Sequence, residues 1–174
     1  MTSKTKTKAK TKTAGSHLAV GEVVSDFEVP STGGSTFMLS NFIGKKVVLY
    51  FYPKDDTPGC TLEGHDFTRL KGQFVRQNTV VYGISRDSLK SHDKFIQKCG
   101  FKIDLLSDED EKLCKMFDVI KEKNMYGKMV LGIERSTFII DEKQQLMAVF
   151  RKVKADGHAE DILHFIQSRE ATEN

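Results

Sequence analysis

The chain of 174 residues is 39% hydrophobic and 29% charged, with a formal net charge of +3 at pH 7. Its length predicts one folded domain, no apolar run approaches the ~20 residues that a membrane-spanning helix needs, and so small a net charge does not indicate a nucleic-acid partner. The three cysteines are odd in number and widely spaced, which argues against a secreted disulfide framework and predicts a reducing, cytoplasmic location.

Residues 1–16 form a lysine- and threonine-rich segment with almost no apolar side chain. Such a segment cannot bury enough surface to offset its ordering entropy, so we predict a disordered tail over 1–16 and one folded domain over 17–174. The simplest role for the tail is to keep the protein soluble. A weak tether for anions or nucleic acid is an alternative. An organellar transit peptide is another, although the tail contains no arginine and shows no amphipathic face.

Beyond the tail, runs typical of strands alternate with runs typical of helices. Two short runs around a glycine-containing turn at 31–35 predict an N-terminal hairpin, and the polar stretch over 120–132 is interpreted as irregular. We predict strands over 27–29, 36–39, 47–52, 79–85, 104–106, 136–140 and 146–153. We predict helices over 60–72, from Ser88 or Ser91 to 99, from Ser107 or Asp108 to 117, and over 159–169. This order indicates an α/β fold, a thioredoxin-like three-layer sandwich with a central mixed sheet.

The stretch around Cys60 carries the clearest chemical signal in the chain. An apolar run over 47–52 predicts a buried strand, which Pro53 ends because proline has no backbone N–H for the sheet. A short turn then leads to Cys60 at the start of a helix. Unpaired backbone N–H groups and the positive end of the helix dipole both favour a thiolate there.

Three further residues are predicted to complete a pocket around the sulfur. Thr57 lies three residues before Cys60, so its hydroxyl could touch the sulfur and donate to an oxygen held beside it. Pro53 could shield one side of the pocket from water. Arg135 begins a predicted buried strand, where a charge is expensive to bury without a function or a partner, so it is the candidate cation.

The run over 51–61 resembles the peroxidatic loop of peroxiredoxins, and its flanks are similar to the bacterioferritin-comigratory, or Q-type, branch. Stretches at 85–87, 105–108 and 126–138 share the likeness, which extends from about 18 to 167. The resemblance implies a thiol-dependent peroxidase that reduces hydrogen peroxide and organic hydroperoxides without metal or organic cofactor, through a sulfenic acid on the cysteine. It implies a thiol donor of the thioredoxin or glutathione–glutaredoxin kind, and a monomer. The implied catalytic residues are Cys60, Thr57, Arg135 and Pro53.

The residue that would resolve the sulfenic acid departs from the commonest pattern of that branch. The position five residues after the nucleophile holds His65, which cannot form a disulfide and is interpreted as a solvent-facing helix residue. Some relatives carry the resolving cysteine at the position that aligns with Ile96, so Cys99, one helical turn away, is the possible resolving thiol. Cys114 is interpreted as a core residue. If neither resolves, the protein is a one-cysteine peroxidase.

Other chemistries lack their motifs in this sequence. It contains no Cys-x-x-Cys, no structural-zinc spacing, no phosphate-binding glycine loop and no serine nucleophile elbow. A hypothesis from a different class is a redox-sensing or nucleic-acid-tethered regulatory protein that uses Cys60 as a switch.

Overall fold

The computed structural model describes residues 18–173, so the predicted tail over 1–16 lies outside the described residues. The strands are β1 (Glu28–Ser31), β2 (Ser35–Met38), β3 (Lys46–Phe51), β4 (Thr79–Ser85), β5 (Asp104–Ser107), β6 (Ile120–Met125), β7 (Lys128–Ile133), β8 (Ser136–Ile140) and β9 (Leu146–Phe150). The helices are α1 (Pro58–Arg76), α2 (Leu89–Cys99), α3 (Lys112–Met116) and α4 (His158–Glu173), and a 3-10 turn spans Leu39–Phe42.

A mixed sheet forms the middle layer, with the strand order β2-β1-β5-β4-β3-β8-β9. Strand β3 runs parallel to β4 and antiparallel to β8, and β4 runs parallel to β5. The β1–β2 hairpin extends one edge of the sheet, where Ser31 pairs with Leu106. The predicted N-terminal hairpin and mixed sheet are therefore confirmed.

Both faces of the sheet are covered, which makes the molecule a three-layer sandwich. Alternate residues of β3 point to opposite faces, so Leu49 and Tyr50 belong to different core clusters. Helices α1, α2 and α4 contribute to the cluster on the face of Tyr50, whereas α3 and the β1–β2 hairpin contribute to the other. The thioredoxin-like α/β prediction is confirmed. Within residues 18–173, no helix has the length and apolar character required to cross a bilayer.

The segment over 120–132 is not irregular, and that prediction was wrong. It forms a separate two-stranded sheet of β6 and β7, in which Ile120 pairs with Ile133 and Met125 with Lys128. Tyr126 and Gly127 connect the strands with positive φ angles of 54° and 81°, as a tight hairpin turn of type I′ requires. Most of the hairpin is exposed, so its sequence lacks the apolar alternation that identifies half-buried strands.

Two helices begin elsewhere than predicted. Helix α1 begins at Pro58 and continues through Gly72 to Arg76, because the apolar contacts of its inner face outweigh the low helix propensity of one glycine. Helix α3 begins at Lys112 rather than at 107 or 108. The Asp108 carboxylate still caps it from the preceding turn, since it accepts hydrogen bonds from the backbone N–H groups of Leu113 and Cys114 at 3.0 and 2.8 Å.

Candidate active site

The end of β3 and the start of α1 hold Cys60 in position. Pro58 occupies the first turn of α1, where its missing N–H costs nothing. The first hydrogen bond of the helix runs from Thr61 N to Thr57 O at 2.9 Å. The N–H groups of Gly59 and Cys60 therefore precede the hydrogen-bond ladder of the helix, and the thiol lies at the positive end of the helix dipole.

The structure brings Arg135, which immediately precedes β8, to this sulfur. Its Nη2 atom lies 3.5 Å from Cys60 Sγ, and its Nη1 atom donates to Glu63 Oε1 at 2.8 Å. Cys60 is 2% exposed, and the Arg135 side chain is 16% exposed. A guanidinium fixed by two contacts in such a confined space can stabilise negative charge on the sulfur and on an oxygen beside it.

Glu63, which sequence reasoning missed, is the anchor of this guanidinium. Its side chain is fully buried one helical turn after Cys60, and its Oε2 atom has no hydrogen-bond partner within the described part of the chain. Burial raises the pKa of Glu63 to about 7, although Arg135 acts in the opposite direction. The sequence does contain a signal that could have identified this residue, namely a glutamate on the apolar face of the helix, three residues after Cys60.

Gly59 allows Arg135 to approach the first turn of α1. A Cβ atom at this position would lie 3.0 Å from Arg135 Nη2 and 3.7 Å from Ala155 Cβ. The guanidinium cannot move away without lengthening its contact with Cys60 or with Glu63. The glycine is required by this close approach.

A second cation, Lys123, reaches the site from the β6–β7 hairpin. Its Nζ atom donates to the Ile133 carbonyl, two residues before Arg135, and its aliphatic stem lies over Gly132. Burial lowers the pKa of Lys123, and the charge of Arg135 lowers it further. The hairpin that the sequence did not predict thus adds positive potential near Cys60.

The loop between β3 and α1 is fastened to α2 by a buried polar network, also missed from sequence. The Asp55 carboxylate accepts hydrogen bonds from Tyr52 Oη at 2.6 Å and from Ser91 Oγ at 2.8 Å, and faces His92 Nδ1 at 2.7 Å. The other ring nitrogen of His92 donates to the Leu106 carbonyl at 2.9 Å. Asp55, Asp87 and His92 lie close enough to share a metal ion. Hydrogen bonds already engage the Asp55 carboxylate, both ring nitrogens of His92 and the Oδ2 atom of Asp87.

Thr57 and Pro53 flank the site without a hydrogen bond to the sulfur. The Thr57 hydroxyl donates to the Lys54 carbonyl at 2.8 Å, so it closes the loop before α1. No hydrogen bond between Thr57 and Cys60 occurs among the described residues. Pro53 is half-buried where β3 ends.

Comparison with known proteins decides the family. The model of the AhpC/TSA family matches residues 20–149. Peroxiredoxin Bcp of Xanthomonas campestris is 53% identical over 138 residues, which cover 79% of this chain and 86% of the relative. The crystal structure of a Xylella fastidiosa PrxQ variant has a TM-score of 0.85 at 45% identity, and the match covers 90% of this chain and 99% of that one. The chain belongs to the AhpC/TSA family.

Its relatives place it among the peroxiredoxins of the bacterioferritin-comigratory, or Q-type, branch, as the motif resemblance predicted. Peroxiredoxin Bcp of Bacillus subtilis is 42% identical over 150 residues, which cover 86% of this chain and 96% of that protein. The protein is thus a thiol-dependent peroxidase. The regulatory alternative is not favoured by these comparisons.

The other two cysteines of this peroxiredoxin have different environments. Cys99 is partly buried at the C-terminal end of α2 and packs against the same core cluster as Cys60. Burial raises the pKa of the Cys99 thiol, and Asp56 raises it further. Cys114 is fully buried in the cluster on the opposite face of the sheet, as predicted for a core residue. Burial raises its pKa strongly, with a hydrogen bond to Asp108 as the next cause.

His65, five residues after Cys60, is exposed, as predicted for a solvent-facing helix position. His65 contacts the Phe101 ring edge-on at 5.2 Å between centroids. The same ring lies where a Cβ atom of Gly64 would be, at distances of 2.3 to 2.8 Å. This side of α1 is therefore packed through an aromatic contact and offers no thiol.

Proposed function

We propose that this peroxiredoxin reduces hydrogen peroxide and organic hydroperoxides by attack of Cys60 on the O–O bond. The single observation that supports this role most directly is the 3.5 Å contact between Arg135 Nη2 and Cys60 Sγ. The Cys60 thiolate forms a bond to one peroxide oxygen, the O–O bond breaks, and the departing oxygen leaves with the electron pair and takes up a proton. The sulfur is oxidised to a sulfenic acid and the peroxide is reduced to an alcohol or water.

Stabilisation of the departing oxygen matters more in this scheme than the acidity of the thiol. A typical free cysteine with a pKa of about 8.5 is ~3% thiolate at pH 7. Lowering such a pKa to about 6 would raise that fraction ~30-fold, but the weaker nucleophile would lose about tenfold in reactivity. Arg135 and the backbone N–H groups at the start of α1 are the donors suited to the developing negative charge.

Thr57 and Pro53 complete the proposed catalytic set. Thr57 closes the loop before α1 through its bond to Lys54, and its hydroxyl would turn toward the peroxide oxygen when substrate is bound. Pro53 limits the access of water from the end of β3. The confined position of the sulfur favours the small O–O group over bulkier electrophiles.

Organic hydroperoxides are included among the proposed substrates because a related protein reduces alkyl peroxides. A Xanthomonas campestris structure, 50% identical with a TM-score of 0.78 and matched over 82% of this chain and 91% of that one, concerns the alkyl peroxide reduction activity of that protein. The proposed donors are thiols of the thioredoxin or glutathione–glutaredoxin kind. The proposed state is a monomer in the cytoplasm, and no metal or organic cofactor is invoked.

Cys99 is the proposed resolving thiol. It packs against the core cluster that contains Cys60, whereas Cys114 lies across the sheet. A disulfide between Cys60 and Cys99 would require rearrangement near the end of α2, because Cys99 is held there as a partly buried free thiol. A one-cysteine mechanism with an external thiol is the alternative.

Mass spectrometry after one equivalent of hydrogen peroxide tests these assignments. We expect the wild type to form a Cys60–Cys99 disulfide, Cys99→Ser to stop at sulfenic acid on Cys60, and Cys60→Ser to lose peroxidase activity. Cys114→Ser is the matched control and should retain most of the activity. Turnover by Cys60→Ser at the wild-type rate would refute the peroxidatic role, and an unchanged disulfide pattern in Cys99→Ser would refute the resolving role.

A further inference from the structure

A groove of about 430 Å³ lies between the loop that precedes α1 and the exposed side of α2. Four lysines line it: Lys54 from the loop, and Lys90, Lys94 and Lys98 from α2. The three helix residues recur at intervals of four, so they share one face of α2. Positive charge from two separate elements therefore converges on one concavity of ligand size.

The acidic side chains of the groove are already engaged. Asp55 is bonded within the buried network that includes His92, and Asp56 forms an ion pair with Lys98 at 2.9 Å. The Asp87 carboxylate accepts from Ser85 Oγ and from the Asp55 backbone N–H, at 2.6 and 2.9 Å.

The ammonium groups of Lys54, Lys90 and Lys94 have no acidic partner within residues 18–173. This excess of positive charge is local. The whole chain has 27 basic and 24 acidic residues, and five of the lysines fall in residues 1–16, so the remainder carries more acidic than basic side chains. The groove lining has four lysines and three aspartates, a formal excess of one positive charge, on a body that is otherwise slightly acidic. This arrangement favours an anionic ligand.

The groove also adjoins the proposed redox chemistry. Phe95 lines it and packs in the same core cluster as Cys60, and Cys99 follows Phe95 by one turn on the same side of α2. The loop on the opposite wall, which contains Asp55, leads directly into the first turn of α1. A ligand in the groove would lie beside the segments that carry both sulfurs.

We propose that this groove binds a low-molecular-weight thiol that bears carboxylates, and that this thiol is a reductant of the oxidised enzyme. Lys54 lies on one wall of the groove and Lys90 and Lys94 lie on the other, so carboxylates at both ends of such a molecule could meet separate lysines. A protein dithiol would dock on a broader surface, and the volume of the groove favours the small ligand.

The reductive steps follow from thiol chemistry, and they rest on the proposed function of Cys60. One thiol attacks the Cys60 sulfenic acid, an S–S bond forms, and hydroxide leaves as water. A second thiolate attacks the mixed disulfide, which releases the Cys60 thiolate and the disulfide of the small thiol. Two thiols supply the two electrons. If Cys99 has first formed a disulfide with Cys60, the same two thiols reduce that disulfide.

The test compares glutathione, which carries two carboxylates, with uncharged dithiothreitol as reductants of protein oxidised by one equivalent of hydrogen peroxide. We expect Lys90→Gln/Lys94→Gln to lower the second-order rate constant for glutathione about tenfold, and to leave that for dithiothreitol within about twofold of the wild-type value. Added salt should slow glutathione in the wild type and have little effect in the variant. Lys115→Gln/Lys143→Gln, which removes two exposed lysines elsewhere, is the matched control.

The proposal would be overturned if Lys90→Gln/Lys94→Gln left the rate constant for glutathione unchanged. It would also be overturned if the rate constants for glutathione and dithiothreitol fell by the same factor. An acidic protein dithiol serves as a third reductant. A fall in its rate constant alone would also overturn the proposal, because the groove would then serve a protein partner. Oxidation of Cys60, either to the sulfenic acid or to a disulfide with Cys99, is measured beforehand without added thiol. Its absence would mean that the proposed function has failed, whereas its presence with unaltered glutathione kinetics would mean that only the groove assignment has failed.

Discussion

At the scale of single residues, the site depends on how closely a charged side chain can approach a helix. Arg135 reaches Cys60 because position 59 has no side chain, and Glu63 holds the guanidinium in that place. Cys60 and Arg135 could be singled out from sequence because a thiol at a helix start and an arginine at the beginning of a predicted buried strand are unusual. The contact between Glu63 and Arg135 could not be predicted from sequence, since it joins residues 72 positions apart.

Gly59→Ala tests this approach. The new Cβ would press on Arg135 Nη2, which is 3.0 Å away, so we expect the rate constant for hydrogen peroxide to fall 10- to 100-fold, by analogy with the loss of one oxyanion donor. Thermal stability should hold or rise, because alanine favours a helix over glycine by about 1 kcal/mol. Stopped-flow kinetics and thermal unfolding measure the two effects.

Gly72→Ala is the matched control for this change. It lies in the same helix, and its Cβ would meet only Arg76 Nη2, at 3.9 Å. We expect a similar gain in stability with an unchanged peroxide rate. Equal kinetics in the two variants would show that the position of Arg135 is not limiting.

At the scale of elements, the connection of the pre-α1 loop to α2 decides how rigidly the site is held. Asp55 is 7% exposed and joins Tyr52, Ser91 and His92, whereas its neighbour Asp56 forms an exposed ion pair with Lys98. Sequence patterns placed the loop and the helix correctly. They could not distinguish these adjacent aspartates, because both are polar residues in a turn.

Asp55→Asn should therefore cost far more than Asp56→Asn. We expect a loss of about 2–4 kcal/mol in the free energy of unfolding for the first, since an amide leaves buried donors poorly satisfied. For the second we expect about 0.5 kcal/mol or less, because an exposed ion pair contributes little. Denaturant unfolding measures both, and hydrogen exchange should show faster opening of the loop in Asp55→Asn alone. Similar losses in both variants would contradict the distinction.

At the scale of the whole molecule, two buried groups oppose each other in the dependence of stability on pH. Burial raises the pKa of Glu63 from 4.5 to about 7, so the folded state retains a proton that the unfolded state releases, and stability falls as pH rises between those values. Burial lowers the pKa of His158 from 6.5 to about 4, so only the unfolded state is protonated in that range, and stability rises with pH.

Because these two contributions oppose each other, we expect the wild-type free energy of unfolding to vary little between pH 4.5 and 6.5. In Glu63→Gln only the His158 contribution remains, so the free energy of unfolding should rise with pH across this range. In His158→Gln only the Glu63 contribution remains, so the free energy of unfolding should fall with pH. Each slope amounts to a change on the order of 2–3 kcal/mol. Urea unfolding at several pH values measures them, with exposed His65→Gln as the control. If the free energy of unfolding varied with pH in the same way in the wild type and in all three variants, the prediction would be contradicted.

The sequence by itself determined the α/β sandwich and the strand–turn–helix that presents Cys60, because these depend on apolar periodicity and on turn residues that are neighbours in the chain. The family was predicted from the resemblance of the motif over 51–61. Tertiary structure alone decided the anchoring of Arg135 by Glu63, the β6–β7 hairpin that carries Lys123, and the convergence of lysines from two elements on one groove. Some of these features join residues that are distant in the chain, so only the folded structure brings them together. The others lie on exposed surface, where burial imposes no periodic pattern on the sequence.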